Sequence, residues 1–115
     1  MDFKTYQELA RRTQNHDLSP RETLEHALCG LSAEVGEVCA IFQKEHQGKA
    51  LCIKDLKSEI GDVLWMLSEL CDVWRLDLGN IAYENIEKLK KRYPEGFDAE
   101  RSNERYRDGG GKNDR

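Results

Sequence analysis

Two apolar stripes at helical spacing constrain this chain more than any other feature. Leu24, Leu28, Leu31, Val35, Val38 and Phe42 recur at three- and four-residue steps, and so do Leu56, Ile60, Val63, Leu67, Leu70 and Trp74. That period belongs to helices with one face turned inward; a half-buried strand would alternate every second residue. Ahead of the first stripe stands Ser19-Pro20-Arg21-Glu22. Ser19 can cap a helix, Pro20 suits its first position, and Glu22 closes a capping box. Residues 44 to 54, KEHQGKALCIK, interrupt the periodicity around Gly48 and read as a connection. A shorter helix is expected through Phe3, Tyr6, Leu9 and Ala10, ending near Asn15. A fourth follows Asp77-Leu78-Gly79-Asn80, aligns Ala82, Ile86, Leu89 and Tyr93, and stops at Pro94. No segment alternates as a strand would. The expected class is all-α: a four-helix, bundle-like domain over residues 1–97, then a polar tail, 98–115, expected to be disordered.

A length of 115 residues makes one domain. The net charge of -4 disfavours a nucleic-acid partner, which wants a basic surface. No apolar run reaches the roughly 18 residues of a membrane span. The opening MDFKTYQELARR lacks a signal-peptide segment. A cytoplasmic protein with no membrane or nucleic-acid partner is expected. Cys29, Cys39, Cys52 and Cys71 lie far apart without a C-x-x-C pair, which points to small buried thiols rather than a zinc site.

Apolar content is 38% and charged content 35%, thin for a monomer with a large core. Ala33, Gly36 and Ala40 lie opposite the first stripe and Trp65 lies opposite the second. Small residues and a tryptophan on second faces imply close approach of another copy, giving a homodimer or homotetramer. The alternative is a monomer that wraps helices one and four over those faces.

Four acids interrupt the apolar helices: Glu34 and Glu37 in AEVGEV, Glu59 and Asp62 in SEIGDV. Measured from the stripe centres on a helical wheel, Glu34 lies about 80° and Glu37 about 140° to one side. Glu59 and Asp62 lie about 60° and about 120° to the side of the same sign. Antiparallel helices joined by a short connection are related by an approximate two-fold axis. An axis at Gly48 matches Glu34 with Asp62 and Glu37 with Glu59, so all four converge on one patch. Clustered carboxylates repel, and burial adds a desolvation cost. No Lys or Arg lies between Glu25 and Lys44, or between Lys57 and Arg75, to neutralise them. A hard divalent cation with oxygen ligands fits, Mg²⁺ first. Such a metal commonly binds substrate phosphates. On helix four, Asn85, Lys88 and Arg92 share a flank suited to phosphoryl oxygens.

The two pairs EVGE and EIGD, about twenty-five residues apart, resemble the MazG-type all-α nucleoside triphosphate pyrophosphohydrolases. NIEKLKKRYPEGF is similar to that family's closing helix and turn, and FKTYQELARRT and LCGLSAEVGEV to its small single-domain members. The resemblance runs from about Phe3 to Phe97. It implies cleavage of a nucleoside triphosphate between the α and β phosphates, with Mg²⁺, in a helical dimer or higher oligomer. It implies that Glu34, Glu37, Glu59 and Asp62 are catalytic and hold metal. Lys88 and Arg92 would meet the phosphate chain, with Asn85 beside them. The general base stays open: any of the four acids not fully engaged by metal could serve, and Ala33 leaves no adjacent spare carboxylate before Glu34.

Three other readings compete. A non-catalytic helical module binding metal or nucleotide would have less reason to keep all four acids. A di-iron bundle expects Glu-x-x-His pairs, and His16, His26 and His46 complete none. His26, about 160° from its stripe centre, is expected to face solvent. A nucleic-acid binder conflicts with the acidic balance. Phe3, Tyr6 and Trp65 have faces that could stack on a base, although aromatics at this spacing belong more often to a core.

Overall fold

The sharpest local signal, the capping box, forms as written. In the computed structural model, which describes residues 1–107, Ser19 Oγ accepts from Glu22 N at 3.1 Å and Glu22 Oε1 from Ser19 N at 3.0 Å. The described residues are helical, with no strand and one isolated bridge, Pro94 to Gly96. The all-α class holds. The chain divides into two units, Met1–Leu78 and Gly79–Arg115.

The first unit holds α1 (Phe3–Arg11), α2 (Pro20–His46) and α3 (Ile53–Val73). The two long helices pack as a hairpin across residues 47–52. Each ends in a Schellman turn. Gly48, at φ 97, follows α2, with Lys49 N donating to Lys44 O and Gly48 N to Glu45 O. After α3 the left-handed position falls to Arg75, at φ 53, with Leu76 N donating to Cys71 O. Glycine takes this backbone freely, whereas an L side chain there costs about 1 kcal/mol.

The seam between α2 and α3 is offset from the apolar stripes. Ala27 is fully buried, and a Cβ at Gly30 would fall 2.4 Å from Met66 Sδ, so small residues of α2 admit α3 closely. Stripe members Leu28 (47% exposed), Val35 (46%), Phe42 (41%) and Ile60 (53%) are left bare by this chain. Of the cysteines only Cys71 is buried; Cys29 and Cys39 are exposed, which corrects the expectation of buried thiols.

α1 crosses to the far end of α3 through side-chain hydrogen bonds. Buried Gln7 donates to Asp72 Oδ1 at 2.7 Å and to Leu76 O at 2.8 Å, and accepts from Leu78 N at 3.0 Å. Arg11 Nε and Gln14 Nε2 complete the shell of Asp72 at 3.0 and 2.8 Å. The connection after α1 covers Trp65, whose Nε1 donates to Thr13 Oγ1 at 2.8 Å. His26 stands edge-on to that indole and its Nδ1 meets the buried Glu69 Oε1. One expectation is thereby corrected and another completed. Trp65 is partly covered from within the chain, and His26 is exposed as expected but also meets a buried acid.

α4 (Leu78–Arg92), in the second unit from Gly79 on, ends before Pro94, whose ring cannot continue a helix. Tyr93 and Phe97 stack across this turn, ring centroids 5.8 Å apart. Beyond it the expected disordered tail is in part helical: Ala99–Arg107 form α5. Asp98 caps it, Oδ1 accepting from Glu100 N at 2.9 Å. The remainder of the tail, 108–115, lies outside the described residues.

Candidate metal centre

Glu34 sits on the α2 side of the hairpin, and Glu59 and Asp62 project from one flank of α3 because residues three apart share a face. Carboxylate oxygens of these three lie within 4.8 Å of one another. Glu34 and Glu59 are half-buried and Asp62 is exposed. Glu37 is exposed and stands outside this group, so the structure brings together three of the four acids.

Electrostatics mark Glu59 as the centre of the cluster. Burial holds its carboxyl above the usual range, and the charges of Asp62, Glu34, Glu37 and Asp55 push it the same way. Glu37 therefore still acts on the site through its field. Asp55, one helical turn before Glu59, belongs to the same negative region. Its signal was the i, i+4 spacing, which reads equally as an exposed face. Tyr6 of α1 adjoins the cluster too: burial and then the charge of Asp62 raise its phenol. Among the described residues no cationic side chain pairs with Glu34, Glu37, Glu59 or Asp62.

These donors suit a small hard cation. Octahedral Mg²⁺ with oxygens at about 2.1 Å places its ligand atoms about 3 to 4 Å apart. A spread of 4.8 Å needs only side-chain rotation to close. An all-carboxylate set with no thiol or imidazole favours Mg²⁺, Ca²⁺ or Mn²⁺ over zinc or copper.

The basic set is carried elsewhere. Asn85, exposed, with Lys88 and Arg92, half-buried, lies along α4 in the second unit. The Arg92 guanidinium stands 6.0 Å from the Tyr93 ring centroid.

The family of MazG nucleotide pyrophosphohydrolase domains matches residues 22–97. The chain belongs to the MazG family. The matched span contains both acid pairs and the basic flank of α4. A relative, the Gene 37 protein of Mycobacterium phage L5, is 32% identical over 88 residues, covering 70% of this chain and 75% of its own. No solved structure matches significantly. No helix of the described residues is long and apolar enough to cross a membrane.

Proposed function

We propose that this MazG protein is a Mg²⁺-dependent nucleoside triphosphate pyrophosphohydrolase, releasing a nucleoside monophosphate and pyrophosphate. The observation that carries the reading is the group of three carboxylates without cationic partners on an apolar hairpin, in a chain of this family. Glu34, Glu59 and Asp62 would hold the metal. Bound there, Mg²⁺ would polarise the α-phosphoryl group and offset charge on the departing pyrophosphate. Glu37, outside the close group, is the carboxylate left to take a proton from the attacking water. The water oxygen bonds to the α phosphorus, and the bond from that phosphorus to the α–β bridging oxygen breaks. Pyrophosphate leaves with the electron pair. A panel of nucleoside triphosphates incubated with Mg²⁺ tests this: pyrophosphate is expected, and orthophosphate alone from every triphosphate contradicts it.

The same reading gives Asn85, Lys88 and Arg92 to the phosphate chain, supported by their shared flank and the family pattern. Lys88→Ala and Arg92→Ala should each lower kcat/KM by roughly ten- to a hundredfold, the worth of a charge-assisted hydrogen bond. Unchanged kcat/KM in both would remove α4 from the site.

The reading includes a homodimer or homotetramer. The bare stripe of Leu28, Val35, Phe42 and Ile60 supports it, since large apolar residues in register rarely face water together. Light scattering at micromolar concentration should give at least twice the chain mass, and Val35→Arg should lower it. Gly36→Arg probes the small-residue face instead; the single chain accommodates that side chain, because nothing lies within 4 Å of a Cβ there. A monomeric parent contradicts the assembly.

A further inference from the structure

Beside Glu59 the hairpin forms a small open cavity whose lining includes two lysines. Lys44 comes from the last turn of α2, Lys49 from the connection, and Asp55, Ser58 and Glu59 from the start of α3. The Schellman turn at Gly48 sets the lysines together, since Lys49 N donates to Lys44 O at 3.0 Å. Side chains at those two positions commonly make an apolar contact. Here both positions carry a cation, and both line the cavity. Both lysines are exposed, and neither forms an ion pair with a described residue.

We infer that Lys44 and Lys49 bind the pyrophosphate end of the substrate in this cavity, next to the carboxylate cluster. The inference rests on the reading of the cluster as a metal site for a triphosphate. Size agrees: the cavity measures about 160 Å³, below the ~300 Å³ at which whole-ligand pockets begin. It suits phosphate groups, not a nucleoside. Charge agrees as well. Asp55 and Glu59 in the same lining would repel a bare anion, whereas a phosphate chain carrying Mg²⁺ can engage lysines and carboxylates together. Ser58 adds a hydroxyl donor.

The test is calorimetric titration of inorganic pyrophosphate with Mg²⁺ into the parent, Lys44→Gln/Lys49→Gln and Lys44→Arg/Lys49→Arg, with Mg²⁺ alone titrated in parallel. Circular dichroism melts check that both variants fold, which their exposed positions favour. The parent should bind magnesium pyrophosphate and not metal-free pyrophosphate. The glutamine variant should bind it at least tenfold more weakly while its affinity for Mg²⁺ alone is not reduced, and the arginine variant should retain most of the affinity. A glutamine variant with parental pyrophosphate affinity overturns the inference, as does a parent that binds no magnesium pyrophosphate. Failure of the two readings is distinguishable. If triphosphates yield pyrophosphate with unchanged KM in the glutamine variant, the lysine assignment falls and the hydrolase stands. If the lysine-dependent binding is found but no triphosphate is cleaved, the assignment stands and the reaction falls.

Discussion

Glu59→Gln is expected to lower hydrolysis about a thousandfold and to leave the metal-free protein at least as heat-stable as the parent. The loss is that of a ligand to the proposed metal, because several kcal/mol of charge stabilisation corresponds to about three powers of ten in rate. Stability follows from the opposite sign of the same charge. Burial and four neighbouring acids hold the Glu59 carboxyl above its usual range, so the folded state disfavours its ionised form. A raised carboxyl costs nothing while it is protonated, below the unfolded value near 4.5, and the cost appears as pH rises through the higher folded value. The glutamine variant escapes that cost at neutral pH and loses its advantage in acid. Mg²⁺ should raise the melting temperature of the parent more than that of the variant, by mass action on the folded state. Glu37→Gln should show the same pattern with a smaller stability gain, since Glu37 acts on Glu59 only through its field. Thermal melts in chelator and in Mg²⁺ read all of this. An apo Glu59→Gln protein clearly less stable than the apo parent would falsify the repulsive-cluster account.

Asp72→Ala should be the most damaging single change away from the cluster, at about 2 kcal/mol and about 10 °C in Tm. The Asp72 side chain is only 13% exposed and accepts from Gln7, Arg11 and Gln14 at once. Its removal takes one acceptor from the buried Gln7 amide and loosens α1, the helix that brings Tyr6 beside Asp62. Arg11→Ala should cost much less, because that guanidinium is half exposed and surface ion pairs contribute little. Urea or thermal unfolding of the two variants compares them directly. Equal midpoints for Asp72→Ala and the parent would remove the network from the account.

Much of the hairpin was legible because its signals are local. Ser19 and Glu22 write a capping box that needs no tertiary partner, and Gly48 marks the turn through a backbone conformation other residues resist. Two-fold matching about Gly48 then pointed to the acids, and Glu34, Glu59 and Asp62 do meet. Glu37 falls outside that group and is exposed, as are the large apolar residues Leu28, Val35 and Phe42. The packed seam is instead set by Ala27 and Gly30, whose small size lets α3 approach. Glu69 and Asp72 went unread for a different reason. Their partners His26, Gln7, Arg11 and Gln14 lie 43 to 65 residues away in sequence, and no periodicity encodes such pairs. Lys44 and Lys49 were legible as charge but dismissed as connection, because only the folded turn lays one beside the other. The tail's polarity, its glycines and its lack of apolar periodicity hide α5, for which Asp98 supplies a cap and the run after it good helix formers.

The measurement closest to the central claim is hydrolysis of a nucleoside triphosphate by the parent protein in ¹⁸O-labelled water with Mg²⁺, the products read by mass spectrometry. Attack at the α phosphorus puts the label in the nucleoside monophosphate and leaves the released pyrophosphate unlabelled. That is the expected result, with no turnover in chelator. Label in pyrophosphate would mean attack at the β phosphorus, and labelled orthophosphate would mean attack at the γ phosphorus. Either outcome would contradict the assignment of this cluster to α–β cleavage.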